Sequence, residues 1–165
     1  MAKFPHPVLL LLAAALCFLL STLVPCEGFV AQGMVYCDVC RAGFVTRGTE
    51  FIPGAKVKLE CKDRAGGKIT FTANGVSDKQ GIYEIPVYGD HEQDVCEVVL
   101  KESTRPDCKE IDPGRKGPVL DIRHKDTRLV NSLGFLQAEP VPDFCPAVMA
   151  TMGLADLPPS KYMKN

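Results

Sequence analysis

Histidine is scarce in this 165-residue chain, with only His6, His91 and His124. No two lie within four residues of one another, and His91 and His124 have no Cys or Ser close by. A zinc site made of closely spaced ligand pairs loses its usual signal, and so does a nucleophile with a histidine base. A G-x-S-x-G elbow and a glycine-rich phosphate loop are missing too. Excess charge is lacking: 19 Lys and Arg stand against 20 Asp and Glu, for a net charge of −1. That balance makes no electrostatic case for nucleic acid or an anionic membrane as partner. No Asn-x-Ser/Thr sequon occurs, since Asn74 precedes Gly-Val and Asn131 precedes Ser-Leu; N-glycosylation is not expected. Asp90, Glu92, Asp94 and Glu97 form an acidic stretch without the D-x-D-x-D-G order of a calcium loop. It reads as a solvated turn entering a strand. Glu84 and Glu97 would be paired carboxylates only if their strands were neighbours.

One long apolar run is present. Residues 8–24 carry no charge, Lys3 precedes them, and Pro25-Cys26-Glu27-Gly28 follows. This is the pattern of a secretory signal peptide, expected to be cut between Cys26 and Gly28. A run of about 17 residues is short for a membrane span, and no basic stop-transfer cluster follows it. No later run is long enough to span a bilayer. The expected organisation is a signal peptide at 1–26, one β domain at 27–146 and a flexible tail at 147–165. Setting Lys3 aside leaves 18 basic against 20 acidic side chains, so the exported part stays near neutral.

Of eight cysteines, Cys17 lies in the apolar run and Cys26 at the expected cut. Cys37, Cys40, Cys61, Cys96, Cys108 and Cys145 remain, and an even set in a small exported chain implies disulfides. Cys37-Asp38-Val39-Cys40 has the spacing of a redox pair, but no amphipathic helix follows to stabilise a thiolate. On an extended backbone the two lie about 10 Å apart, beyond the roughly 7 Å within which they could bridge each other. Each would reach a separate partner. Spacing alone leaves 15 pairings open.

Apolar and polar residues alternate along much of the chain. Ala55, Val57, Leu59 and Cys61 share one face, with Lys56, Lys58 and Glu60 on the other. Runs at 69–73, 83–87 and 96–100 behave alike, and Pro86 marks an edge or bulge. Cys61 and Cys96 fall on apolar faces, so a bridge between them would cross the core. Further strands are expected at 29–37, 118–124 and 127–130. Pro53-Gly54, Gly66-Gly67, Asn74-Gly75, Gly89-Asp90 and Pro113-Gly114 punctuate the runs. The expected fold is all-β, an antiparallel sandwich or barrel of about seven strands. Residues 103–117 read as a long loop, and one weak helix is expected at 148–157.

The stretch Gln32-Gly33-Met34-Val35-Tyr36-Cys37-Asp38-Val39-Cys40-Arg41 resembles the signature of the olive-pollen-allergen-like (Ole e I) family, E/Q/T-G-x-V-Y-C-D-T/N/P-C-R, with Val39 as the one departure. Phe51-Ile52-Pro53-Gly54-Ala55, Cys61-Lys62-Asp63, Cys96-Glu97, Cys108 and Leu133-Gly134-Phe135 before Cys145 extend the resemblance over about residues 30–146. The resemblance implies a secreted plant protein, with many members from pollen or anthers and some proposed as ligands of receptor kinases. It implies the pairs Cys37–Cys108, Cys40–Cys145 and Cys61–Cys96. No catalytic, cofactor or metal site is expected from the residues. The expected function is a secreted, non-enzymatic extracellular protein acting through its surface on a receptor kinase or cell-wall component, with residues 47–54 and 103–117 as contact loops. A secreted inhibitor or defence protein is the alternative, and an enzyme using strand-end carboxylates a third.

Overall fold

The computed structural model describes residues 28–91, 93–124 and 126–154, with side chains described outside 121–124. The expected signal peptide and cut, Cys17, Cys26, Glu92 and the end of the tail lie outside the described residues. Among the described residues, ten strands and one helix follow in order: β1 (Gly28–Asp38), β2 (Glu50–Phe51), β3 (Lys56–Asp63), β4 (Ile69–Val76), β5 (Ile82–Tyr88), β6 (Asp94–Glu102), β7 (Cys108–Glu110), β8 (Gly117–His124), β9 (Thr127–Val130), β10 (Leu133–Gln137) and α1 (Phe144–Thr151).

The strands form one open sheet in the order β4-β3-β6-β8-β9-β1-β10-β7, with β2 and β5 branching from β1. The expectation of an antiparallel sandwich or barrel of about seven strands is corrected on three points: the path is open, the sheet is mixed, and the strands number ten. β1 accounts for the mixing. It pairs antiparallel with β5 and β2, and parallel with β9 and β10. Val35 donates its N–H to Gly81 O and accepts at its O from Ile52 N, so one edge of β1 passes from β5 to β2. On the other edge, Val30–Gln32 meet 127–129 and Val35–Asp38 meet 133–136 in the same direction. Parallel strands need a long crossover, and residues 39–126 supply it. Alternation carries no sign of strand direction, so only the crossover reveals it.

The faces do follow from alternation. Val57, Leu59 and Cys61 of β3, Tyr83, Ile85 and Val87 of β5, and Cys96, Val98 and Leu100 of β6 are all buried. Each fully buried aliphatic side chain contributes about 1.5–3 kcal/mol. The segment expected as a loop at 103–117 contains β7, whose three residues are too few to alternate visibly. The helix runs from Phe144 instead of starting at 148. Pro146 sits in its first turn, where the missing N–H has no intrahelical partner to lose. Gly153, at φ 71°, follows its end.

Two tyrosines lie over glycines on β1 and its neighbours. Gly33 faces Tyr83 across β1–β5, and a Cβ there would fall 2.4 Å from the Tyr83 hydroxyl. Gly134 faces Tyr36 across β1–β10, and a Cβ there would fall 2.7 Å from Tyr36 Cζ. Tyr83 is 1% exposed, and its hydroxyl has no hydrogen-bond partner among the described residues. Burial pushes its pKa well above the ordinary tyrosine value. Deleting that hydroxyl removes an uncompensated buried polar group. Tyr83→Phe is expected to be neutral or to raise stability by up to about 1 kcal/mol, whereas Gly33→Ala is expected to cost on the order of 1–3 kcal/mol. Denaturant unfolding of both variants beside the parent checks the pair.

Candidate functional site

The residues from Gln32 to Arg41 run along β1 into the turn that follows it. Gln32 Nε2 donates to Glu84 Oε1 at 2.7 Å. Cys37 joins Cys108 at the start of β7, Cys40 joins Cys145 in α1, and Cys61 joins Cys96 directly opposite it on β6. Two bridges three residues apart therefore fasten the end of β1 to the segment 103–117 and to the helix. Val39 is buried, and Gly48 of the next loop packs against the Val39 and Phe144 side chains.

Asp38 and Arg41 organise this turn. Asp38 is 1% exposed, and its carboxylate accepts from Ala42 N at 2.8 Å, Gly43 N at 2.7 Å and Arg115 Nη1 at 3.1 Å. Burial, with Asp38 nearby, pushes Tyr36 up to about 12. Arg41 takes φ 53°, a left-handed conformation that costs a non-glycine residue about 1 kcal/mol or more. Its guanidinium forks onto Glu110 at 2.6 and 2.8 Å and also donates to Gln137 O at 2.7 Å. The fork ties the turn to β7 and β10 together, which a lysine could not do.

The two segments expected to carry contacts meet each other. Arg105 forms a salt bridge with Glu50 and a second with Asp107. Thr104 Oγ1 donates to Pro53 O at 2.7 Å. Next to them lies a shallow hollow of about 360 Å³ between Pro106, Asp107, Lys109, Glu110, Leu136 and Ala138. Its carboxylates are poised for salt bridging and not for proton donation. Arg41 holds Glu110 below the usual glutamate value, and Arg105 holds Asp107 below the usual aspartate value. A general acid working near neutrality needs the opposite shift.

His91 makes a second polar cluster. Its Nδ1 lies 2.7 Å from Asp94 Oδ2 and its Nε2 3.1 Å from Tyr88 O. Thr70 Oγ1 donates to the same Asp94 oxygen at 2.6 Å, and this bond, then His91, lowers the Asp94 pKa. The composition resembles a hydroxyl–imidazole–carboxylate relay, but the order does not. Thr70 is bonded to the carboxylate, and both imidazole nitrogens face acceptors, so neither is placed to take a proton from the hydroxyl. Glu84 and Glu97 do not form a strand-neighbour pair. Glu84 on β5 is bonded to Gln32, and Glu97 on β6 pairs with Lys116 at 3.1 Å. The side chain of His124 lies outside the described residues. Among the described residues, no group of three or more His, Cys, Asp or Glu is placed to hold a metal ion.

The partners Glu110 and Arg115 were not singled out from sequence. They lie 69 and 77 residues from Arg41 and Asp38, respectively, so only folding brings them in. Arg41→Ala leaves Gln137 O and the turn without their donor, and is expected to cost on the order of 2 kcal/mol. Glu110 and Asp107 bind fewer protons folded than unfolded, so their contribution is present above the ordinary carboxylate values of 4.5 and 3.8. It fades as pH falls through the lower folded values. Thermal melts from pH 7 to 2 are expected to show stability falling below about pH 4.5, with a shallower fall in Glu110→Gln.

A family model described as pollen protein Ole e 1 like matches residues 27–153. The chain is 41% identical over 152 residues to an Olee1-like protein of Betula pendula, covering 86% of this chain and 91% of that one. It is 44% identical over 136 residues to the major pollen allergen Lig v 1 of Ligustrum vulgare, covering 79% and 92%. It is 39% identical over 156 residues to the anther-specific protein LAT52 of Solanum lycopersicum, covering 90% and 96%. Among solved structures, the major plantain pollen allergen Pla l 1 superposes with a TM-score of 0.62 at 34% identity, over 71% of this chain and 99% of that one.

Proposed function

This chain belongs to the pollen protein Ole e 1 like family, and from that premise we propose that it is exported and acts outside the cell as a non-enzymatic binding protein of pollen. Its partner would be a receptor kinase ectodomain or a cell-wall component. The relatives named as pollen allergens and as an anther-specific protein support the pollen setting. Three disulfides suit an oxidising compartment. The family-signature residues support the non-enzymatic reading, because their polar groups are spent on structure: Asp38 on backbone amides and Arg115, and Arg41 on Glu110 and Gln137.

One observation carries the proposal. The segments 47–54 and 103–117 are fixed to each other by Arg105–Glu50 and Thr104–Pro53, and to β1 by Cys37–Cys108. Preordered loops lose little entropy on binding, which is what a disulfide-braced scaffold offers a partner. Phe51 and Ile111 on these segments stay 40% and 38% exposed, the kind of apolar anchor that dominates interfaces. The oxidised protein, immobilised and challenged with pollen membrane and wall extracts, is expected to retain a receptor ectodomain or a wall polymer. Phe51→Ala combined with Ile111→Ala is expected to weaken retention by about tenfold or more with the melting temperature unchanged. Absence of a specific partner, or retention untouched by the double variant, would overturn the reading.

A further inference from the structure

The three disulfides differ in what must move before a reductant can reach them. Cys37 lies in β1 between Glu50 of β2 and Phe135 of β10, and its partner Cys108 is paired with Gln137 of β10. Cys61 and Cys96 face each other across β3 and β6. Opening either bridge requires hydrogen-bonded strands to part. Cys40 and Cys145 instead lie off the sheet, in the turn after β1 and in α1. Among the described residues, no strand runs close along α1. Ala138 N donates to Asp107 O at 3.1 Å, and beyond it the backbone hydrogen bonds up to Leu154 stay within 141–154. The two cysteines of Cys37-Asp38-Val39-Cys40 thus differ in role: Cys37 is locked into the sheet, and Cys40 fastens a segment outside it.

The helix has little to hold it in place by itself. Eight residues are too few for a helix that is stable alone in water. Asp143 at its N-cap makes no side-chain cap bond, and no acidic residue in its first turn or basic residue in its last complements the helix dipole. Apart from Cys40–Cys145 and the buried Val148, it is seated by Phe144 against Gly48, and by Arg47 Nη2 donating to Thr151 Oγ1 at 3.4 Å. We propose that α1 is a strap released by reduction, with Cys40–Cys145 as its clasp, opened by an external dithiol of the thioredoxin type while the sheet and the other two bridges stay closed. One thiolate of the dithiol bonds to one sulfur of the clasp, and the other clasp sulfur leaves with the electron pair. The second thiolate then attacks the first dithiol sulfur and expels the remaining protein thiolate. The dithiol is oxidised to its disulfide, and its two protons pass to the two protein thiols. Access comes from local lifting of α1, because weakly held parts of a fold open without the rest. Release uncovers Val39 and loosens the loop entering β2, whose Thr46 and Thr49 are bonded only to each other by Thr49 N to Thr46 O and Thr46 N to Thr49 Oγ1. The device works whether or not that loop meets a partner.

The oxidised protein, incubated with rising dithiothreitol and then alkylated, tests this by peptide mapping. Cys40 and Cys145 are expected to be labelled about tenfold or more faster than Cys37, Cys61, Cys96 and Cys108. Hydrogen exchange on the species with two free thiols is expected to show residues 144–151 and 46–49 losing protection, with β1, β3 and β6 unchanged. Phe144→Ala loosens the seat of the helix and is expected to speed opening of the clasp about threefold or more, with the other two bridges at parental rates. Cys40→Ser combined with Cys145→Ser is expected to give the same exchange pattern without reductant. Earlier labelling at another bridge, or all three opening together, would overturn the inference. So would an opened clasp with 144–151 still protected, or a rate indifferent to Phe144→Ala. Should the double serine variant fail to fold, labelling and exchange of the parent protein decide.

Discussion

Strand β1 is hydrogen-bonded along both edges, to β5 and then β2 on one side and to β9 and then β10 on the other. The remaining elements are arranged around that double pairing. A strand bonded on both edges and buried over most of its length has little freedom to slip, because a one-residue shift would turn Val35 and Cys37 away from the core. Gly33 and Gly134 admit the two tyrosine rings, which cover the backbone where side chains are missing. The turn after β1 then closes with Asp38 gathering backbone amides and Arg41 reaching β7 and β10.

This arrangement places the family-signature residues inside the frame. The signature strip is interior: Tyr36, Cys37, Asp38, Cys40 and Arg41 are all buried. A recognisable motif need not be an active site, and here its polar groups are explained by what they hold together. The surface loops lie beyond it, braced against one another by Arg105 and Thr104. The signature residues are thus spent on the frame, while Phe51 and Ile111 stay partly exposed beside it.

Much of the β content was legible because half-buried strands alternate, and β3, β5 and β6 bury the residues that alternation assigns inward. The parallel pairings of β9 and β10 were not legible, since alternation is the same in either direction. β2 and β7 were hidden by their length, and the helix start by a proline that the first turn tolerates. Cys61 and Cys96 could be placed on inward faces from their strands alone. The partners of Cys37 and Cys40 could not, because they lie in a three-residue strand and a helix with no shared periodicity. At the candidate site, Asp38 and Arg41 stood out through the signature. Glu110 and Arg115 did not, since their roles depend on contacts with residues distant in sequence. The segments 47–54 and 103–117 could be named separately, but their meeting through Arg105 and Glu50 is a property of the folded chain.

The place of β1 in the sheet also sets an order of events during synthesis. β1 leaves the ribosome ahead of every other described element, yet the strands along its parallel edge are translated last. Cys37 and Cys40 find their partners 71 and 105 residues later, whereas Cys61 meets Cys96 after 35. The Cys61–Cys96 pair across β3 and β6 can therefore form while the nascent chain is still short, and the pairing of β1 is completed only after β9 and β10 are made. Until then Cys37, Cys40 and the parallel edge of β1 are without partners, so the centre of the sheet waits on residues 108–145.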